Sequence, residues 1–278
     1  MTGNIVFMCG FAYFKILRGN LDLSFLRKQS LEILSKRGPD DQNFQTLDDG
    51  RELFCHARLE IIGNSIQGKQ PAIADKSSAL MLFNGAIYNY KQISNKKKHT
   101  SDTDALLEIL CDEGIKALEK LDGMYAILYR SIIDDTVILA RDLSGQKPLY
   151  CAIIENEFDE IFCATSDLRC ITGILGQHIE LNINNKALQH YLSYGFTSNS
   201  ATLVDGVFEV PPNTCIVIKN NNFNSLKQHE INSEKHNIQS GSIVSKSTII
   251  ERLDKALRSS VKQHLEADVP VGVLLSGG

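Results

Sequence analysis

The chain has 278 residues, enough for two domains of ordinary size, and its 43% hydrophobic and 22% charged residues are typical of a globular protein. A formal net charge of −4 argues against a nucleic-acid-binding protein, because such proteins carry an excess of Lys and Arg. The N-terminal apolar run from Ile5 to Phe14 is too short to cross a bilayer, and no basic leader precedes it. We therefore predict a protein that binds neither nucleic acid nor membranes.

Seven cysteines are scattered along the chain, odd in number and without a C-x-x-C pair. The histidines likewise lack the spacings typical of zinc sites. This pattern predicts reduced thiols, a cytoplasmic location and no metal held by the protein.

The first helix is predicted over residues 22–38, where leucine and isoleucine recur on one helical face and Gly38-Pro39 ends the element. The spacing of the apolar residues then changes, and residues 53–62 and 78–89 form short runs typical of strands. A second helix is predicted over residues 101–114, with Ser101 and Asp104 as a capping pair.

Four closely spaced strands follow the second helix, over residues 123–131, 135–142, 147–154 and 160–166. Two substantial helices combined with many short, antiparallel strands indicate an α+β domain, with packed sheets inside and helices outside.

The composition shifts at residues 219–247, a polar and Asn-rich stretch that we interpret as a linker. A helix is predicted over residues 247–265, with apolar residues every four positions and a capping box formed by Thr248 and Glu251. The final apolar run, 269–278, is predicted to be a buried strand that enters a glycine loop, as at the start of a nucleotide-binding α/β unit.

Taken singly, the candidate functional residues are ambiguous. Cys9 is either a small core residue or, if synthesis begins at Met8, the first residue of the mature chain. Arg58 alone suggests a structural ion pair and Asp102 a helix cap, while Asn84-Gly85 is a common turn. Their order along the chain favours a functional site over these structural interpretations.

That ordered set of motifs resembles the glutamine-hydrolysing asparagine synthetases over essentially the whole chain. The resemblance covers the class II amidotransferase domain and the first strand of the ATP-pyrophosphatase synthetase domain. The motifs that carry it are Cys9-Gly10-Phe11, Arg37-Gly38-Pro39-Asp40, His56-Ala57-Arg58-Leu59, Gly68-Lys69-Gln70-Pro71, Phe83-Asn84-Gly85, Ser101-Asp102-Thr103-Asp104, Leu139-Ala140-Arg141-Asp142, Lys147-Pro148-Leu149-Tyr150 and Ser276-Gly277-Gly278.

The resemblance implies an N-terminal-nucleophile hydrolase fold, an αββα sandwich, followed by the start of an α/β nucleotide-binding domain. It divides the chain into an extension (1–8), the amidotransferase domain (9–218), a linker (219–247) and the beginning of the synthetase domain (248–278).

In this family the nucleophile is a cysteine at the mature N-terminus, the position that Cys9 matches. A free α-amine, with a pKa of about 7.7–8.0, can take the thiol proton near neutral pH, whereas an amide nitrogen cannot. Asn84 and the Gly85 N–H match the oxyanion hole, and Arg58 matches the partner of the glutamine α-carboxylate. Asp102 matches a partner of the α-ammonium; Ile61 and Ile62 complete the expected glutamine-binding set.

One position departs from the family. The family has Asn-Gly-Glu where this chain has Asn84-Gly85-Ala86, and the missing glutamate is a second partner of the α-ammonium. Losing a charged hydrogen bond of roughly 1.5–3 kcal/mol would lower glutamine affinity about tenfold or more.

The resemblance places the start of an ATP-binding loop at Leu275, Ser276, Gly277 and Gly278. For a complete synthetase it implies ATP, Mg²⁺ and aspartate in addition to glutamine, and it allows a homodimer; the glutaminase half needs no cofactor. Two alternatives stay open: a family member that amidates another carboxylate, on a polysaccharide or a peptide, and a non-catalytic remnant that keeps the fold.

Overall fold

A computed structural model describes residues 8–48, 50–61, 68–74, 78–93, 101–198, 200–223, 226–232, 245–265 and 267–272. Its strands are β1 Gly10–Arg18, β2 Asp41–Leu47, β3 Glu52–Arg58, β4 Ala72–Ile73, β5 Ala79–Ile87, β6 Gly123–Ser131, β7 Thr136–Arg141, β8 Tyr150–Glu155, β9 Glu160–Thr165, β10 Val207–Glu209, β11 Thr214–Lys219 and β12 Lys227–Glu230. Its α-helices are α1 Leu23–Ser35, α2 Tyr90–Ile93, α3 Asp102–Glu113, α4 Asn185–Tyr194 and α5 Lys246–His264.

The strands form two antiparallel sheets of six strands each within the described ranges. The first sheet has the order β10-β8-β9-β1-β3-β2, and the second has the order β12-β11-β7-β6-β5-β4. The predicted antiparallel pairing is confirmed: among the four consecutive strands β6 to β9, β6 pairs with β7 in the second sheet and β8 pairs with β9 in the first.

The alternation of side chains along β1 shows how the layers stack. Phe11 and Tyr13 belong to the apolar cluster between the two sheets, whereas Ala12 and Phe14 belong to the cluster under α1. On the outer face of the second sheet, α2 and α3 pack over a third cluster. The layer order is therefore helix, sheet, sheet, helix, which confirms the predicted αββα sandwich.

The two main helices are capped by polar side chains at their N-termini. At the start of α1 the Asp22 carboxylate accepts a hydrogen bond from the Ser24 N–H at 2.8 Å. At the start of α3 the Ser101 hydroxyl accepts from the Asp104 N–H at 3.2 Å. The N-terminal end of α3 is thereby held at the sheet edge where the site lies.

A buried ionic network joins the two sheets away from the site. The Glu52 carboxylate accepts hydrogen bonds from the Tyr13 hydroxyl and the Lys15 ammonium, both at 2.9 Å, and from the Arg130 guanidinium at 3.2 Å. Burial and the Glu52 charge raise the pKa of Tyr13, so its hydroxyl stays protonated as a donor.

The structure departs from the sequence predictions in the C-terminal third. The segment predicted as a linker, 219–247, contains β12, whose four exposed residues pair with β11 as an edge strand. Helix α5 is capped by Ser245, whose hydroxyl accepts from the Thr248 N–H at 3.2 Å, so the predicted cap at Thr248 is wrong: the helix begins earlier, and Thr248 lies inside its first turn.

The strand predicted at 269–278 is not formed over 269–272, and residues 273–278 lie outside the described residues. None of the described helices combines the length and the hydropathy that a bilayer crossing requires.

Candidate functional site

A cavity of about 480 Å³ opens where β1 begins and β3 and β5 end, beside the start of α3. Six of the predicted site residues line it: Cys9, Arg58, Ile61, Asn84, Gly85 and Asp102. The remaining predicted site residues, Ile62 and the ATP-loop residues Leu275, Ser276, Gly277 and Gly278, lie outside the described residues. The structure therefore brings together residues from distant parts of the chain.

Cys9 immediately precedes β1, and its position is set by the end of β3. Its Sγ lies 3.3 Å from the Leu59 N, which donates to it, and 3.4 Å from the Leu59 carbonyl oxygen. The Arg37 Nε donates to the Cys9 carbonyl at 3.4 Å. Burial raises the pKa of the Cys9 thiol, while the Leu59 N–H and the nearby cations of Arg58 and Lys147 oppose that rise.

Asn84 lies on β5 with its side chain facing the cavity and is 1% exposed. The backbone just before it is clamped, because Gln70 both accepts from the Phe83 N–H at 2.6 Å and donates to the Phe83 carbonyl at 3.0 Å. The buried Asn84 Nδ2 has no hydrogen-bond partner among the described residues. A buried amide donor without an acceptor is costly, and here it points to a ligand oxygen.

Gly85 follows at a point where β5 and β6 are in close contact. A Cβ at this position would overlap the Met124 carbonyl and lie 2.8 Å from the Tyr125 Cα. Glycine is therefore required here by the approach of the neighbouring strand, and Gly85 also lines the cavity.

Arg58 is the last residue of β3 and is 4% exposed, with its Nη1 3.8 Å from the Glu60 carboxylate. Gly68 lies directly against the guanidinium, and a Cβ there would overlap it. The guanidinium is therefore confined at the cavity wall, as a bidentate carboxylate receptor must be.

Asp102 is the first residue of α3 and accepts a hydrogen bond from the Ile87 N–H at 3.2 Å. Burial raises the pKa of Asp102 to about 6, although the backbone donors and the Arg58 charge oppose the rise. A cationic partner in the cavity would therefore stabilise the charged form of the Asp102 carboxyl.

Asn84 and Ala86 lie on the same face of β5, because alternate residues of a strand share a face, and both line the cavity, as do Gly85 and, just after the strand, Tyr88. Ala86 therefore presents only a methyl group where the family has a carboxylate. The Tyr88 hydroxyl is buried without a hydrogen-bond partner among the described residues, and its ring lies 4.7 Å from the His264 ring.

The end of α5 and the segment after it form one wall of the cavity. The Asp268 N–H donates to the Ile61 carbonyl at 2.9 Å, and Gln263 donates to the Asp122 carboxylate at 2.9 Å. Residues 269–272 also line the cavity.

Sequence reasoning missed three groups at the site: the Gln70 clamp on Phe83, the unpaired Tyr88 hydroxyl and the Lys147 ammonium. Gln70 and Lys147 belong to motifs noted in the sequence, but nothing in the sequence says which side chains of a motif face the site. No cluster of three or more His, Cys, Asp or Glu side chains suited to a metal occurs in the part of the chain that the structure describes.

The αββα fold, with Cys9, Asn84 and Asp102 around one cavity, is the arrangement expected of an N-terminal-nucleophile amidotransferase. In agreement, the structure superposes with a TM-score of 0.54 on a glutamine phosphoribosylpyrophosphate amidotransferase from B. subtilis solved with ADP and GMP. That match has 16% sequence identity and covers 81% of this chain and 50% of the other. It shows a shared fold.

The family model described as "glutamine amidotransferase domain" matches residues 8–230, and the chain belongs to that family. A model described as "asparagine synthase" matches residues 252–278.

Among curated relatives, asparagine synthetase [glutamine-hydrolyzing] 1 of Bacillus subtilis is 30% identical over 98% of this chain and 42% of its own length. The putative asparagine synthetase [glutamine-hydrolyzing] 2 of Methanocaldococcus jannaschii is 27% identical over 88% of this chain and 50% of its own length. The chain thus spans half or less of these two relatives and carries their glutaminase half.

Proposed function

We propose that the chain hydrolyses glutamine to glutamate and ammonia, with Cys9 as the nucleophile after exposure of its α-amine. The observation that carries this proposal is the buried, unpartnered Asn84 Nδ2 in a cavity that also contains the Cys9 thiol. A donor without a protein acceptor, beside a nucleophile, suits a carbonyl oxygen that becomes negatively charged during attack.

The steps follow from the groups in the cavity. The α-amine of Cys9 takes the Sγ proton, the thiolate attacks the glutamine amide carbon, and the carbonyl electron pair moves onto oxygen. The Asn84 amide and the Gly85 N–H stabilise that oxyanion, at about 3 kcal/mol for one donor. Collapse breaks the C–N bond as the protonated amine returns its proton to the leaving nitrogen, and water then hydrolyses the thioester to glutamate.

Substrate orientation depends on two charged groups that line the cavity. Arg58 would pair with the glutamine α-carboxylate through its planar guanidinium, and Asp102 with the α-ammonium. The apolar wall contributed by Ile61 would cover the substrate side chain.

In a longer protein we propose that the ammonia serves the ATP-dependent amidation of aspartate, with Mg²⁺, in a synthetase domain that begins near residue 248. The short asparagine-synthase match and the names of the relatives support this part. A cytoplasmic location and a homodimer belong to the same proposal; the seven free cysteines support the first.

The test begins with protein produced from its native gene. We expect the N-terminal tryptic peptide, which ends at Lys15, to begin at Cys9, and we expect ammonia release from glutamine that is lost in Cys9→Ala and kept in Cys111→Ala, a change at an exposed cysteine. A peptide that begins at Met1 or Thr2, with no Cys9-dependent ammonia, would support the remnant instead. Asparagine formation by this chain alone would contradict the proposed division of labour.

A further inference from the structure

The turn after β7 is built to hold one side chain at the site. The Asp142 carboxylate accepts hydrogen bonds from four backbone N–H groups at 3.0–3.2 Å: those of Tyr125, Ser144, Gln146 and Lys147. The Arg141 guanidinium donates to the carbonyls of Lys147, Val210 and Gly145 at 2.8, 2.6 and 2.7 Å. Both ends of the turn are therefore fixed by hydrogen bonds. Within this turn, Lys147 is the residue that lines the cavity.

Within the part of the chain that the structure describes, the Lys147 ammonium is buried without a carboxylate partner. Lys147 is 5% exposed, and within the described residues its amine makes one hydrogen bond, at 3.3 Å, to the Met8 thioether. A thioether is a weak acceptor, so the ammonium is left poorly compensated. Burial lowers the pKa of Lys147, while the nearby Cys9 thiolate and the Asp142 carboxylate would raise it.

We propose that Lys147 is a positioning residue for proton transfer at Cys9: its ammonium favours the thiolate over the thiol and the neutral over the charged α-amine. The inference rests on the proposed glutaminase chemistry. Met8, the residue that contacts the ammonium, is joined directly to Cys9, so removal of Met8 would leave the cation facing the new α-amine. A like charge there disfavours a second cation, and the amine stays available as a base.

Other charges face Cys9 from each neighbouring element. Arg58 ends β3, Asp102 begins α3, and Arg37 follows α1 with its guanidinium on the Cys9 carbonyl. Arg58 and Arg37 lie 3.8 and 3.9 Å from the carboxylates of Glu60 and Asp167, whereas Lys147 forms no such ion pair within the described residues. Of these three cations near Cys9, Lys147 is therefore the one whose charge is least balanced by a carboxylate among the described residues.

The experiment measures alkylation of the Cys9 thiol by iodoacetamide against pH, with mass spectrometry of the Cys9 peptide. We expect Lys147→Met to move the Cys9 midpoint upward by about one pH unit, and Lys147→Arg to restore it. The exposed Cys111 serves as an internal reference whose midpoint stays constant, and Lys120→Met, which removes an exposed lysine paired with Glu113, is the matched control.

An unmoved Cys9 midpoint in folded Lys147→Met would overturn the inference. If neither Lys147→Met nor Lys147→Gln folds, the test is made on wild-type protein by comparing two alkylating reagents. A cation at the thiol attracts anionic iodoacetate, so the ratio of the iodoacetate rate to the iodoacetamide rate should be higher at Cys9 than at Cys111. An equal ratio at both thiols overturns the inference as well.

The two proposals fail separately. A shifted alkylation midpoint without ammonia release defeats the glutaminase proposal but leaves the effect of Lys147 on the thiol. The opposite result is ammonia release that depends on Cys9, while Lys147→Met moves neither the pH midpoint of Cys9 alkylation nor the acidic limb of the pH profile of kcat/KM. That result contradicts only the inference about Lys147.

Discussion

Replacement of Asp102 by Asn should strengthen the fold at alkaline pH while removing glutamine use. Burial raises the pKa of Asp102 from 3.8 to about 6. Because the folded-state value is the higher one, the carboxyl favours folding fully below pH 3.8 and loses that contribution as the pH rises through about 6. The difference of about two pH units corresponds to about 3 kcal/mol lost at pH 8.

Asp102→Asn cannot ionise and escapes that loss. Its free energy of unfolding relative to wild type should therefore rise by about 1 kcal/mol between pH 5 and pH 8, whatever constant cost the amide adds. Urea unfolding at both pH values measures the change. Asp112→Asn, at an exposed position on the same helix, is the control and should show a constant difference.

If the free energy of unfolding of Asp102→Asn relative to wild type stays constant or falls between pH 5 and pH 8, the reasoning is refuted. The variant should also lose glutaminase activity at every pH, because the proposed partner of the α-ammonium is gone. Full activity in Asp102→Asn would show that the ammonium is bound elsewhere.

Three further changes test the cavity and the core. Ala86→Glu should raise glutamine affinity about tenfold or more, with Ala86→Gln giving a smaller gain, as read from KM or calorimetric titration. Gly68→Ala should displace the Arg58 guanidinium and raise KM about tenfold or more with kcat nearly unchanged; a lower kcat at constant KM would contradict this. Glu52→Ala should remove the buried carboxylate that Tyr13, Lys15 and Arg130 share, leaving the two cations paired with the more exposed Asp48 and Asp135. The free energy of unfolding should fall by about 2–3 kcal/mol in urea titrations, and a loss below about 1 kcal/mol would contradict this.

Local signals predicted most of the fold. Helix α1 was located by its apolar periodicity and α3 by its capping pair at Ser101 and Asp104, signals that depend on neighbours within a few residues. The cap of α1 at Asp22 was found only in the structure. Strand β12 was missed because its residues, Lys227–Glu230, are all exposed and polar, so they carry no pattern of burial. The cap of α5 was misplaced because Ser245 and Thr248 both suit the role, and only the backbone distinguishes them.

The candidate site was predictable as a set of motifs but not as a geometry. The motifs located Cys9 and Asn84, yet only the fold shows that the Asn84 Nδ2 is left without an acceptor. The contact between Met8 and Lys147 joins positions 139 residues apart, and no periodicity or spacing encodes such a distance. The same holds for the approach of Gly68 to Arg58.

The alternation that turns Ala86 toward the cavity also bears on how the protein can evolve. Any alanine codon becomes an aspartate or glutamate codon when its middle base changes from C to A. The strand that would carry the acid is already in register, with its Cβ facing the cavity. The missing charge is therefore a single nucleotide away, and two lineages that differ only at this codon would differ in their affinity for glutamine while every other part of the fold stays the same.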